Sequence, residues 1–186
     1  SEGKFVNILN ACPDLYDRTI VLNGVSKAYA MTGWRIGYCG GPAHIITAME
    51  NIQSQSTSNP TSISQVAAET ALNGDQSCSG PMGAACRERN RFVTDGRNAM
   101  PGVRWLLSGG AFYAFAETRE AITQLCAKGV LKESSDVALS EYLLEHGGVA
   151  VVPGSAFGSE GYIRLSFATT MTNLENALRR IAKVLG

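Results

Sequence analysis

The sequence has 186 residues, of which 45% are hydrophobic and 17% charged, and its 16 basic side chains balance its 16 acidic ones. This composition is typical of a globular protein with a buried core and unlike that of a disordered chain. With no net charge and no basic run, nucleic acid is not an expected partner. No membrane association is expected either, because no apolar stretch reaches the roughly 18 residues of a membrane helix.

Cysteine and histidine usage argues against a disulfide framework and a metal site. The cysteines are irregularly spaced without a CxxC pair, and the two histidines lie far apart. We therefore expect reduced thiols and no metal, and a cytoplasmic location because residues 1–4 do not begin a secretory leader. The residues concerned are Cys12, Cys39, Cys78, Cys86, Cys126, His44 and His146.

The first elements indicate an α/β domain. TIVLN, residues 19–23, predicts a short, fully buried strand of the kind found in parallel sheets, and Gly24 then turns the chain. IGYCGG, residues 36–41, predicts a second short strand. Pro42 fits the first turn of a helix that follows. The apolar face of this helix contains Ile45, Ile46, Met49 and Ile52.

A polar loop separates this helix from the next one. The loop is QSTSNPTS, residues 55–62, and it contains a proline that breaks regular structure. Ser62 and Gln65 have the spacing of a capping box, in which two side chains satisfy free backbone groups at a helix start.

The domain boundary is predicted near residue 100. A charged helix is expected from about Met82 to Ala99, and MPG at residues 100–102 breaks it. We therefore assign residues 1–100 to one domain and residues 101–186 to a second.

The second domain is predicted to begin with two strands, which are followed by two helices and two further strands. YIRLSF alternates, so that Ile163, Leu165 and Phe167 share one face of a strand and Arg164 lies on the other. Strands are predicted at residues 103–107, 110–117, 149–154 and 162–167, and helices near residues 119–128 and 136–146.

The last helix has a clear apolar stripe and a predicted capping box from Thr172 to Glu175. The whole chain is thus predicted to be α/β, followed by a small α+β unit. The stripe consists of Leu174, Ala177, Leu178, Ile181 and Leu185.

Three residues near the first strand are candidates for binding a phosphorylated carbonyl compound. Lys27 follows the carboxyl end of the strand, where open α/β sheets place ligands, and a partly desolvated amine is a nucleophile toward carbonyls. Arg35, between Gly33 and Gly37, could bind phosphate oxygens, and Ser26 could add a hydroxyl. A solvated loop lysine and an arginine paired with a carboxylate are the alternative interpretations.

Arg164 is the candidate for binding a carboxylate in the second domain, because a guanidinium can donate two parallel hydrogen bonds. An ordinary surface arginine is the commoner case for such a position. By default, the aromatic residues are interpreted as core, Asn59 as a loop residue and His44 as structural or solvated. These aromatic residues are Trp34, Tyr38, Phe112 and Tyr113.

Several motifs together resemble class I aminotransferases, which belong to the fold-type-I group of pyridoxal-phosphate enzymes. GVSKAYAMTGWRIG is similar to their cofactor-lysine signature, and SGGAFYAF and GYIRLSFA are similar to strands of their small domain. QSTSNPTSISQVAA resembles their interface loop and the helix after it. The resemblance covers essentially the whole chain and is greatest to the bacterial aspartate aminotransferase type.

The resemblance implies the C-terminal part of that fold, namely the rear of a large, mostly parallel-sheet domain plus a small α+β domain. It implies that Lys27 binds pyridoxal 5′-phosphate as a Schiff base and that Arg35 binds the phosphate, and Ser26 is a further candidate donor from its position. It also implies that Arg164 binds the substrate carboxylate and that the loop at Ser58 and Asn59 reaches the other subunit of a homodimer. The expected substrates are an amino acid, L-aspartate above all, and a 2-oxo acid, 2-oxoglutarate.

Two departures from the family pattern are visible. Many relatives have a serine three positions before the lysine, where this chain has Gly24. Family members are also about twice as long, and the residues that bind the pyridine ring would lie in the preceding half. Three alternatives therefore stay open: a catalytically silent fragment, a transaminase with aromatic, branched-chain or prephenate specificity, and a lyase or synthase on the same fold.

Overall fold

The computed structural model describes residues 5–96, 100–106 and 108–186. The chain divides into two compact units, residues 4–82 and residues 83–186, which we call the N-terminal unit and the C-terminal unit. Helix α5 (Ser79–Asp95) contains the point of division. The helix predicted from about Met82 to Ala99 is present as α5 from Ser79 to Asp95, and its predicted positions 97–99 lie outside the described residues. The proposed domain boundary after residue 100 stays a prediction.

The described part of the N-terminal unit contains four complete helices, the first turn of α5 and a two-stranded sheet. Strands β1 (Val21–Gly24) and β2 (Gly37–Gly40) pair in antiparallel orientation, with Leu22 opposite Cys39. The helices are α1 (Ile8–Ala11), α2 (Val25–Ala28), α3 (Ala43–Ser54) and α4 (Ser62–Asn73), and 3₁₀ turns occupy Pro13–Arg18 and Thr32–Trp34.

The first predicted strand is present, but the expectation that it is fully buried and parallel is wrong for the described residues. Leu22 on β1 is 79% exposed, and the pairing with β2 is antiparallel. The strands of a parallel sheet are buried because helices cover both faces of the sheet. The β1–β2 pair is a two-stranded ribbon without further strands beside it, which explains why Leu22 is exposed.

The helices of this unit begin close to where the sequence predicts. Pro42 is the cap of α3 and precedes its first turn, and the predicted loop lies between α3 and α4. The predicted capping box at Ser62 is wrong, because the cap of α4 is Thr61, whose side chain makes no capping hydrogen bond. Gln65 instead donates a hydrogen bond from Nε2 to the carbonyl oxygen of Pro60, at 2.7 Å.

The C-terminal unit is an antiparallel sheet with helices packed against one face. Its described strands are β3 (Arg104–Leu106), β4 (Tyr113–Glu117), β5 (Val152–Pro153) and β6 (Tyr162–Ser166), and the helices are α6 (Arg119–Ala127), α7 (Asp136–Gly147) and α8 (Met171–Leu185). The order of the strands is β3-β4-β6-β5, and each neighbouring pair is antiparallel. The predicted strand at 149–154 is reduced to two residues, and position 107 of the predicted first strand lies outside the described residues.

The predicted alternation along β6 is confirmed. Ile163 and Leu165 are 1% and 5% exposed and belong to one continuous core with their β4 neighbours Ala114 and Ala116. Because successive side chains of a strand point to opposite faces, Arg164 lies on the face of the sheet away from this core. The core also contains Val93, Trp105, Ile122, Leu125, Leu139, Leu143, Phe167, Leu174, Leu178, Ile181 and Leu185.

The apolar stripe of α8 is confirmed as well, because four of its five members are buried and Ala177 packs beside them. The predicted capping box at Thr172 is wrong. The helix is capped by Thr170, whose side-chain oxygen accepts a hydrogen bond from the Asn173 amide at 3.2 Å. Both threonines precede the apolar run, so the spacing of polar residues alone does not distinguish them.

Candidate active site

Lys27 lies on a one-turn helix that directly follows β1. The strand ends at Gly24, which caps α2, and Val25 in the first helical position is fully buried. Burial of Val25 anchors the segment, while Lys27 itself is exposed. The desolvation expected for this amine is therefore not supplied by the described residues of the chain.

Gly24 occupies a position where a side chain would be crowded. A β carbon built there would lie 3.2 Å from the carbonyl oxygen of Ile36 and 3.5 Å from the α carbon of Gly37. The closeness follows from the β1–β2 pairing, in which Gly24 is opposite Gly37. A serine at this position would require a small shift of β2, which gives a physical reason for the glycine. The nearby hydroxyl group is that of Ser26, which is half-buried on α2.

Arg35 has an unusual backbone conformation. It follows the 3₁₀ turn Thr32–Trp34 with φ 56° and ψ 45°, in the left-handed region that few non-glycine residues adopt. Its side chain is exposed and donates one hydrogen bond from Nη1 to the carbonyl oxygen of Thr32, at 2.9 Å. A guanidinium has five N–H donors, so this bond orients the group and leaves donors for a ligand.

A small apolar cluster joins the segments that carry Lys27 and Arg35. Val25, two residues before the lysine, and Ile36, next to the arginine, pack together with Ala68 of α4. Tyr29 and Met31 pack against this cluster from outside. The structure therefore brings the backbone segments of Ser26, Lys27 and Arg35 together in the N-terminal unit.

Arg164 belongs to the C-terminal unit and contacts two aromatic rings. Its guanidinium carbon lies 4.2 Å from the ring centre of Tyr113 on β4 and 4.4 Å from that of Phe157, which follows β5 in a 3₁₀ turn. Among the described residues, Arg164 forms no ion pair and no hydrogen bond through its side chain. It is half-buried and on the open face of the sheet, which differs from an ordinary exposed arginine.

The default interpretation of the aromatic residues as core is wrong in part. Trp34 and Tyr38 are 44% and 42% exposed, whereas Phe112 is half-buried and packs against the core. Tyr113 contacts Arg164 instead of filling the core. Phe157 was not predicted at all, because a single aromatic residue in a glycine-rich loop has no periodicity that would assign it a face.

The remaining candidate positions are exposed. Ser58 has φ 63°, and its amide donates a hydrogen bond to the carbonyl oxygen of Gln53, at 2.9 Å. Asn59 is exposed in the same loop, and His44 is exposed in the first turn of α3. Within the part of the chain that the structure describes, no three histidine, cysteine or acidic side chains are grouped as metal ligands, and no helix has the length and hydropathy to span a membrane.

Comparisons with known proteins decide the family. The family model for aminotransferase class I and II matches residues 3–181. The chain belongs to this aminotransferase family. The expectation from the signature around Lys27 is thus confirmed at the level of the family, and the mixed α/β architecture agrees with a partial transferase fold.

Individual aminotransferases show how much of the fold the chain represents. The chain is 69% identical over 185 residues to an aspartate/prephenate aminotransferase of Nitrosomonas europaea, matching all of this chain and 47% of that protein. It is 46% identical to an aspartate aminotransferase of Rhizobium meliloti, matching 96% of this chain and 43% of that protein. The chain spans about half the length of the curated relatives it matches.

Solved aminotransferase structures also match the whole of this chain and slightly less than half of their own length. The crystal structure of the aspartate aminotransferase from Rhizobium meliloti matches with a TM-score of 0.89 and 42% identity, covering all of this chain and 46% of that one. That of an aromatic aminotransferase from Pyrococcus horikoshii OT3 matches with a TM-score of 0.86 and 35% identity, covering all of this chain and 47% of that one.

Proposed function

We propose that this chain forms the lysine-bearing half of a pyridoxal-phosphate-dependent aminotransferase that exchanges an amino group between L-aspartate and 2-oxoglutarate. The observation that carries the proposal is the placement of Lys27 and Arg35 on segments joined by one apolar cluster, within the family's signature sequence. The name of the Nitrosomonas europaea relative supports aspartate as the amino donor.

The described side chains suit the cofactor chemically. A phosphorylated aldehyde requires an amine for its carbonyl carbon and cationic or hydroxyl donors for its phosphate. Lys27, Arg35 and Ser26 supply these three groups from one short segment, and Arg35 keeps donors beyond its bond to Thr32. Gly24 adds no hydroxyl, so the phosphate would have one donor fewer than in relatives with a serine there.

Lys27 would act as the acid–base group of the reaction. When bound, pyridoxal phosphate supplies an electron sink for negative charge that develops at the substrate α carbon. The Lys27 amine would hold the cofactor in the absence of substrate and take the proton from the substrate α carbon during the reaction. A lysine in this role has to lose water on ligand binding, since it is exposed in the described structure.

Arg164 would bind the α-carboxylate of the amino acid. Two parallel hydrogen bonds from a guanidinium fix both the position and the orientation of a carboxylate. Orientation matters because the substrate bond that breaks has to be aligned with the electron sink. The Arg164 guanidinium has no carboxylate partner among the described residues, so it is chemically suited to a ligand of that type.

A homodimer in the cytoplasm is the proposed assembly and location. The loop with Ser58 and Asn59 would reach toward the active site of the second subunit.

Prephenate is the specific alternative to 2-oxoglutarate as the amino acceptor, because the Nitrosomonas europaea relative is named for both aspartate and prephenate.

Borohydride trapping tests the proposal. The chain is incubated with pyridoxal phosphate and reduced, and the added mass is located by peptide mapping, with Lys27→Ala as the decisive variant and Lys132→Ala as the control at an exposed lysine. We expect labelling to concentrate on Lys27 and to disappear in Lys27→Ala only. Labelling spread over all lysines and unchanged in Lys27→Ala would favour the catalytically silent fragment.

Substrate choice needs a separate assay. L-Aspartate is offered as donor with 2-oxoglutarate or prephenate as acceptor, and the new amino acid is identified. We expect glutamate as the main product, and formation of a new amino acid also excludes a lyase or synthase. A higher kcat/KM for prephenate would instead assign the alternative specificity.

A further inference from the structure

The two rings that contact Arg164 come from separate parts of the C-terminal unit. Tyr113 is on β4, one diagonal step from Arg164, since Arg164 is opposite Phe115 and Tyr113 is opposite Ser166. Phe157 ends the 3₁₀ turn Gly154–Phe157 and is 49% exposed. Both ring centres lie within 4.4 Å of the guanidinium carbon, well inside the roughly 6 Å range of cation–π contacts.

The turn that carries Phe157 is held firmly by buried groups. The side chain of Asp136 is 3% exposed and accepts a hydrogen bond from the Ser155 amide at 2.6 Å. Gly154 is buried where a β carbon would lie 2.3 Å from the carbonyl oxygen of Ser159 and 2.6 Å from the β carbon of Tyr162. The backbone before Phe157 therefore has little freedom to move its ring away from Arg164.

We propose that Tyr113 and Phe157 are positioning residues that hold the Arg164 guanidinium with its N–H edge free for a carboxylate, an inference that rests on the proposed function of Arg164. Aromatic rings attract the charge of a guanidinium without accepting its N–H donors as a carboxylate would, so these donors stay available to bind a carboxylate in parallel. Because the side chain is already ordered, ligand binding forfeits less rotational freedom.

Arg119, the first residue of α6, provides an internal comparison, because its side chain contacts residues of the same sheet. Its guanidinium carbon lies 5.1 Å from the ring centre of Tyr162, but its Nη1 is also 3.6 Å from a carboxylate oxygen of Glu117. Glu117 in turn forms an ion pair with Arg104. The charge of Arg119 is thus paired with a carboxylate of the chain itself. Arg164, in contrast, contacts two rings and has no carboxylate partner among the described residues.

The test combines carboxylate binding with direct observation of the arginine. Succinate is titrated into the 186-residue chain, with succinamide as the uncharged control, and the Nε–Hε signal of Arg164 is followed by NMR. The variants are Phe157→Leu, Tyr113→Leu, Arg164→Gln, the conservative Phe157→Tyr, and Tyr162→Leu as the matched control that removes a ring beside Arg119 instead.

We expect succinate binding to vanish in Arg164→Gln and to weaken roughly three- to tenfold in Phe157→Leu and in Tyr113→Leu. Phe157→Tyr should restore both the affinity and the ring-current shift of the Arg164 Hε signal, and Tyr162→Leu should leave both unchanged. Since Phe157 is half exposed, its replacement should not prevent folding, which the remaining amide signals report.

Two results would overturn the inference, and they differ in what they imply for the proposed function. Unchanged succinate affinity in Phe157→Leu and Tyr113→Leu, with binding still lost in Arg164→Gln, removes the positioning role but keeps Arg164 as the carboxylate ligand. Absence of Arg164-dependent binding in the unchanged chain removes both.

Discussion

The two units of the chain differ sharply in how they bury apolar side chains. In the C-terminal unit, helices and an antiparallel sheet enclose one continuous core that reaches from Val93 to Leu185. In the N-terminal unit, the buried apolar residues among those described are Val25, Ile36 and Ala68. Apolar side chains of the N-terminal unit that are 63–84% exposed include Phe5, Leu22, Ile52, Ile63 and Val66.

The residues proposed to carry out the chemistry therefore lie in two units whose apolar cores differ greatly in size. Lys27 and Arg35 lie in the unit with the small cluster, and Arg164 lies in the unit with the large core. Burial of apolar area is the main stabilising contribution to a domain, so we expect the C-terminal unit to be the more stable of the two. The exposed apolar side chains of the N-terminal unit are a second consequence of its small core, and large exposed apolar areas generally indicate an interaction surface. The chain also spans about half of its relatives' length.

The largest expected effect comes from truncating a core leucine. Leu139→Ala should destabilise the C-terminal unit by about 3 kcal/mol, because Leu139 is fully buried and its loss leaves a cavity. Leu22→Ala, a matched change at a 79% exposed position, should alter stability by less than about 0.5 kcal/mol. Urea unfolding followed by Trp105 fluorescence in a Trp34→Phe background, with far-UV circular dichroism, measures both. Equal destabilisation by the two variants would break the comparison.

A smaller effect is expected from adding a methyl group to a glycine. Gly154→Ala should destabilise the C-terminal unit by about 2 kcal/mol, because the added β carbon would overlap the carbonyl oxygen of Ser159 and the β carbon of Tyr162. Gly40→Ala on β2 should have little effect, since nothing lies within 4 Å of the corresponding position. Thermal unfolding of both variants tests this. A stable Gly154→Ala chain would show that the C-terminal unit is less tightly packed than its burial suggests.

The smallest effect concerns helix caps. Thr170→Ala should destabilise α8 by about 1 kcal/mol, because it removes the side-chain acceptor of the Asn173 amide. Thr61→Ala should leave α4 unchanged, since the Thr61 side chain makes no capping bond. Chemical denaturation of the two single variants and the wild-type chain resolves this difference. Comparable losses would mean that Thr61 caps its helix after all.

Much of the local structure could be predicted from the sequence because it depends on periodicity. The alternation of YIRLSF predicted which residues of β6 are buried, and the stripe of α8 predicted which side of that helix packs on the core. The boundaries were less accurate. The sequence predicts caps at Ser62 and Thr172, whereas the structure has them at Thr61 and Thr170, since neighbouring hydroxyl residues have nearly equal propensities for the cap position.

The residues of the candidate site could be predicted from residue type and from the resemblance to the family. The residues that contact them could not be predicted in either way. Lys27, Arg35, Ser26 and Arg164 were identified from the signature sequences, and their roles stay predictions. The sequence patterns do not indicate Phe157 beside Arg164, and they favour a core position for Tyr113, which instead contacts Arg164. Contacts between β4, β6 and a turn depend on strand register, which local sequence patterns do not contain.

The sequence by itself determined the family and the order of the elements, because each is encoded by short motifs or by periodicity within one segment, and the same motifs supply the candidate reactive side chains, whose roles stay predictions. Tertiary structure alone decided that β1 lies in an antiparallel ribbon with an exposed Leu22, and that a side chain at Gly24 would be crowded by the backbone of Ile36 and Gly37. It also decided that two rings lie against Arg164. These features arise from contacts between residues distant in sequence, whose geometry is set by packing.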